Sequence, residues 1–167
     1  MEPADQAVIA HPRLGVFLDS QTDLELIAIL ADVRPRWQLV LLATEAISES
    51  TMERARTLRR ANAHVLVPKA FAEVPDYVGG WDVALFPRGK KALLALLAAG
   101  REVVMTTSSS SPEHDFVRVG RTMTELVDQV ERALDGWDPG RSARIDAFLD
   151  GMIKPAGALL PAFDGRH

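Results

Sequence analysis

Cysteine is absent from this 167-residue chain. That excludes disulfides, a thiolate metal site and a cysteine nucleophile. An excess of positive charge is also missing. The formal net charge is -4 and the sequence pI is about 5.6. The footprint expected of a protein that binds nucleic acid or an anionic membrane is therefore not there. The start, MEPADQAVIA, lacks the basic residues and long apolar run of a signal peptide. The longest apolar run, Ala92 to Ala99, is less than half of a membrane span. No internal repeat and no glycine-rich phosphate loop stand out. A cytoplasmic protein without a membrane span is the expectation. The remaining composition is 47% hydrophobic and 25% charged, as in an ordinary globular domain. A chain of this length can bury one proper core.

Apolar runs and helical patterns alternate along the sequence. Leu14 to Leu18, Gln38 to Ala43, His64 to Val67, Asp82 to Phe86, Glu102 to Thr106 and Phe116 to Val119 read as strands. The second is apolar throughout rather than alternating, the pattern of a strand buried on both faces of a parallel sheet. Between them, residues 23 to 33 read as a helix introduced by Thr22 and Glu25. Ser50 and Glu53 introduce a second helix that runs to Arg60. Glu73 to Val78 is a short helical turn, and residues 90 to 99 form a helix stopped by Gly100. Thr122 and Glu125 have capping-box spacing, and Met123, Leu126, Val127, Val130 and Leu134 share one helical face. The expectation is an α/β fold: a Rossmann-like, doubly wound, mainly parallel sheet of about six strands flanked by helices. Residues 1–12 read as a flexible leader, 13–135 as the Rossmann-like domain, and 136–167 as a helix followed by the apolar tail PAGALLPAF.

Few residues carry chemistry that composition alone can support. His11, His64, His114 and His167 have no second ligand at metal spacing, so no metal site is expected. His114 beside Asp115 reads as a loop pair rather than a catalytic one, and Ser109 and Ser110 lack a nucleophile elbow. A phosphoacceptor receiver would need an aspartate where Thr44 ends the second strand. A haloacid-dehalogenase-like phosphatase would need a second aspartate at Gln21. No catalytic residue is assigned. The candidate binding residues lie where strands end and helices begin, the place where parallel sheets hold ligands. They are Asp19 and Ser20 after the first strand, Lys69 after the third, and Arg88, Lys90 and Lys91 after the fourth. Arg88 and the two lysines suit a phosphate clamp, and a helix N-terminus favours an anion. Asp19 would repel one, so the favoured role of Asp19, Ser20 and Thr22 is to cap the first helix, with phosphate binding the alternative.

Four stretches in order resemble a known family. They are DLELIAILADVRPRWQLVLL, ANAHVLVPKAFAEVPDYVGGWDVALFP, LLALLAAGREVVMT and VRVGRTMTELVDQVERAL. Together they resemble the C-terminal, donor-binding half of GT-B glycosyltransferases of the group 1 type, from about Arg13 to Leu134. Members of that family bind a nucleotide-sugar between two Rossmann-like halves and transfer the sugar. The resemblance implies that Lys69 lies in the loop that seats the base, and that Arg88, Lys90 and Lys91 are a remnant of the diphosphate site. It also exposes departures. The family's carboxylate on the helix before the glycine falls at Ala95, and its basic residue at Ala92. Alanine has no hydrogen-bonding side chain. A shift from Lys90 or Lys91 to position 92 turns the side chain by roughly 100° to 200°. The twelve residues before the first strand are not expected to supply the N-terminal half of a GT-B enzyme. The expectation is a stand-alone, degenerate glycosyltransferase-like domain: a pseudoenzyme that binds a protein partner or, weakly, a nucleotide-sugar. The alternative is the donor-binding subunit of a split glycosyltransferase completed by a second chain. A protein partner or second copy would dock through residues 145–163. No cofactor is implied.

Overall fold

The computed structural model describes residues 1–107, 112–136 and 140–153. The chain divides into two compact units at Gly136 and Trp137. The first holds a six-stranded sheet in the order β3-β2-β1-β4-β5-β6. The strands are β1 (Arg13–Phe17), β2 (Gln38–Leu42), β3 (Ala63–Val65), β4 (Val83–Leu85), β5 (Glu102–Met105) and β6 (Arg118–Val119). Every neighbouring pair is parallel. The helices of this unit are α1 (Ala4–Ala7), α2 (Leu24–Val33), α3 (Glu49–Arg56), α4 (Val74–Val78), α5 (Lys90–Ala98) and α6 (Met123–Asp135). Tight 3-10 turns cover Phe71–Glu73 and Pro112–Phe116. In the second unit, α7 (Arg141–Ile153) carries Ile145, Phe148, Leu149 and Met152 at helical spacing. Residues 154–163, and with them the apolar tail, lie outside the described residues, as do Ser108 to Ser111.

The sheet is covered on both faces, as the apolar run of β2 implies. Leu14, Val16 and Leu18 point into one core with Leu39 and Leu41, where Ile27 and Leu30 of α2, Met52 and Ala55 of α3 and Leu126 and Val130 of α6 meet them. Val40 and Leu42 are equally buried from the other face. Each such aliphatic side chain contributes roughly 1.5–3 kcal/mol by leaving water. On the second face Gly15 is required. A Cβ there would lie 1.8 Å from the Trp81 indole. The Phe17 ring packs beside it, its centroid 5.2 Å from that of Trp81.

Local signals placed the elements closely, although β6 is shorter than expected because Phe116 belongs to a 3-10 turn, and three larger differences stand out. Asp23, not Thr22, caps α2, accepting from Leu26 N at 3.0 Å. The Thr22 hydroxyl is already engaged, accepting from Asp19 N at 2.8 Å. Ser48, not Ser50, caps α3 through Thr51 N, and the helix ends at Arg56 rather than Arg60. The third difference concerns residues 1–12, expected as a flexible leader because no local pattern anchors them. They form a strap. Gln6 is fully buried, donating from Nε2 to Tyr77 O at 2.9 Å and accepting from Trp81 Nε1 at 3.1 Å. Arg13, 2% exposed, donates from Nε to Ile9 O and pairs with Glu2. Buried polar groups of this kind demand partners, and the strap supplies them.

Candidate functional site

The sheet order reverses direction between β1 and β4. In open α/β sheets the crevice outside the strand carboxyl ends at such a point is the usual ligand site. Here the β1 exit is Leu18 to Thr22 and the β4 exit is Phe86 to Gly89. Two of the candidate residues meet across it. The Nε of Arg88 lies 3.0 Å from Asp19 Oδ2, and Arg88 Nη2 donates to Gln21 Oε1. Asp19 is held in turn: its Oδ1 accepts from Gln21 N at 2.8 Å. The cap role considered for Asp19 belongs to Asp23. Ser20 borders a neighbouring open cavity with Asp19, Thr44 and Ser48, and its carbonyl accepts from Arg54 at 3.4 Å.

The other candidate cations do not converge on Arg88. Lys69 sits after β3, where Thr44 and Lys69 form an isolated bridge. Its Nζ lies 2.6 Å from Asp5 Oδ2 in the strap and 5.2 Å from the centre of the Tyr77 ring. Tyr77 donates its hydroxyl proton to Asp5 Oδ1 at 2.7 Å. Burial alone would raise the Asp5 pKa, but hydrogen bonds from Lys69 and Tyr77 outweigh it and hold the carboxyl below its usual range. Burial would likewise lower the Lys69 pKa, but its bond to Asp5 leaves it raised. Lys90 opens α5, and its Nζ lies 3.9 Å from the buried Glu113 carboxylate. Lys91 is exposed on the same first turn. Three of the four candidate cations thus face a carboxylate of this chain.

Sequence reasoning missed the remaining crevice residues. Phe86 has φ +52°, a left-handed conformation that bulky residues rarely adopt and that costs about 1–3 kcal/mol. Its place before Pro87 disfavours the α region but does not announce this turn. Gln21, Asp23 and Thr106 join it in lining the crevice. Nothing in the local pattern marks them. Asp5 and Glu113 are far in sequence from the lysines they face, so no spacing rule finds them. Ala92 and Ala95 sit on α5 as expected, with no polar group to offer. Among the described residues, no group of His, Asp and Glu side chains could hold a metal ion, and no helix is long and apolar enough to cross a membrane.

No protein-family model and no curated protein matches the sequence. Solved structures do match in fold. A UDP-N-acetylglucosamine 2-epimerase from Listeria monocytogenes, itself described as putative, superposes with TM-score 0.63 at 12% identity. The match covers 99% of this chain and 49% of that one. The fold is that of one half of a GT-B enzyme. The UDP-GlcNAc 2-epimerase of Neisseria meningitidis, solved with UDP-GlcNAc bound, gives TM-score 0.58 at 11% identity, over 90% of this chain and 47% of that chain. A mutant of the Thermobaculum terrenum O-GlcNAc transferase gives 0.55 at 24% identity, over 86% of this chain and 32% of that chain. The match therefore spans 32% to 49% of the length of these structures. Epimerases stand beside glycosyltransferases among them, which widens the resemblance read from the sequence.

Proposed function

We propose that this GT-B-like half is non-catalytic by itself and binds a nucleotide-sugar weakly at most. In this reading residues 13–135 are the GT-B-like domain and 136–167 a docking helix and tail for a protein partner. One observation carries the proposal: Lys69, Arg88 and Lys90 each face a carboxylate of the same chain, Asp5, Asp19 and Glu113. A diphosphate would have to displace those carboxylates, and it would find alanine at positions 92 and 95. Preorganised charge aimed at the ligand is what such a site needs, and here the charge is already spent.

The test is thermal unfolding of the full chain with UDP-GlcNAc and with GDP-, ADP- and TDP-linked sugars. A ligand at 100 times its dissociation constant adds about 2.7 kcal/mol, several degrees for a domain of this size. The expected result is no shift at submillimolar ligand. A shift of several degrees at that concentration, or sugar transfer or epimerisation by the chain alone, overturns the proposal. The second reading is the donor-binding subunit of a split glycosyltransferase. It is favoured by the coverage of about half of an epimerase that binds UDP-GlcNAc. It requires nucleotide-sugar binding that depends on Arg88, Lys90 and Lys91 and strengthens when a second chain is added.

A further inference from the structure

Between β1 and β4 the crevice holds a partly enclosed cavity of about 190 Å³. Sites for drug-sized molecules run from about 300 Å³ upward, so this one has room for a single ring with its substituents. Its floor is apolar, made by Val16, Phe17, Leu26 and Phe86. Its polar lining is Thr22, whose hydroxyl is already engaged with Asp19 and Phe17, and a rim of the exposed residues Gln21, Asp23, Arg88 and Thr106.

The charge on that rim selects against anions. Asp19 already balances Arg88 at 3.0 Å, and Asp23 adds a further carboxylate. The hydrogen-bonding capacity left over has a definite character. Asp23 uses Oδ1 to cap α2, which leaves Oδ2 to accept. Gln21 uses Oε1 toward Arg88, which leaves its amide nitrogen to donate. Arg88 retains Nη1 as a donor, and the Thr106 hydroxyl both donates and accepts. These four groups make no other hydrogen bond among the described residues. Hydroxyl groups, each a donor and an acceptor at once, satisfy such a mixed rim without bringing charge. A ring with one apolar C–H face satisfies the floor against the Phe86 side chain.

We infer that this cavity binds a neutral, polyhydroxylated molecule the size of one ring, a monosaccharide without phosphate. The inference rests on the preceding proposal in one respect, that the crevice does not take a diphosphate.

The experiment is saturation-transfer NMR on the full chain with millimolar glucose, mannose and N-acetylglucosamine, each in turn. The expected result is transfer to at least one of them, strongest at ring C–H protons. Gln21→Ala and Thr106→Val should each weaken it about tenfold, the loss of one hydrogen bond to a ligand. Both residues are exposed, and circular dichroism of the variants checks that folding is kept. No transfer to any of the three sugars overturns the inference, as does transfer that both variants leave unchanged. Titration with sodium pyrophosphate separates the two claims. If pyrophosphate binds the wild-type chain and displaces the sugar, the non-catalytic, weak-binding reading falls as well. If neither sugar nor pyrophosphate binds, only the inference falls.

Discussion

The strap and the crevice use the same kinds of side chain to opposite ends. In the strap, Gln6 and Arg13 are buried to 0% and 2% exposure, and their hydrogen bonds close on Tyr77, Trp81, Ile9 and Glu2. In the crevice, the side chains of Arg88 and Asp19 are 47% and 42% exposed. Leaving a buried donor or acceptor unmade costs about 1–3 kcal/mol. An exposed ion pair contributes about 0–1 kcal/mol. The polar groups of the strap are therefore part of the fold. Those of the crevice contribute little to the fold, because water competes for them. Burial, not residue type, separates Arg13, which the fold depends on, from Arg88, which it does not.

The sharpest way to break this comparison is at the floor of the strap face. Gly15→Val places atoms inside the Trp81 indole. It should destabilise the protein by about 3 kcal/mol or more, read as a lower urea midpoint. A midpoint equal to wild type would show that Trp81 does not pack on β1 as described. Gln6→Ala comes next. It strands the Trp81 indole N–H and a contact to the Tyr77 carbonyl, and about 2 kcal/mol of stability should go. Loss of less than about 0.5 kcal/mol would put the strap in the same class as the crevice.

Asp5 lies between the two regions, since it is a strap residue whose side chain is 40% exposed. Its pKa is depressed in the folded state, so the unfolded chain binds its proton first as pH falls. Its stabilisation is present above the ordinary carboxylate range, near pH 4, and disappears as pH drops through the lower folded value. Asp5→Asn should flatten that part of the acid unfolding curve while costing less than about 1 kcal/mol at neutral pH. An unchanged acid limb would remove Asp5 from the account. Asp19→Asn should have the smallest effect, within about 0.5 kcal/mol. A large loss of stability there would mean that the crevice pair is structural after all.

Much of the architecture was legible because its signals are local. The uninterrupted apolar run of β2 already implied burial on both faces. The Thr122–Glu125 capping box is present in both directions, with Glu125 N donating to Thr122 Oγ1 at 3.2 Å and Thr122 N to Glu125 Oε2 at 3.0 Å. Gly100, at φ +75°, follows α5 where a left-handed residue ends a helix. The caps of α2 and α3 were misplaced by one and two residues, because several hydroxyl and carboxyl side chains compete there and only the folded backbone selects one. Of the candidate site, the positions at the strand ends were legible from topology. The pairing of Arg88 with Asp19 was not, nor was the share of the rim taken by Gln21 and Thr106.

The sequence by itself determined the order and type of the main elements, their bounds to within a few residues, and that the sheet is parallel and buried. Those properties depend on side-chain period and on neighbours within a turn or two. Only the tertiary structure decided the strand order and the partners of the charged and polar groups. Asp5 meets Lys69, Gln6 meets Trp81 and Gln21 meets Arg88 across 64 to 75 residues of chain. Bringing such distant residues together costs only slowly more entropy as the loop lengthens, so no local pattern marks them in advance. The packed core sets the positions of their backbones, and proximity then makes the pairs.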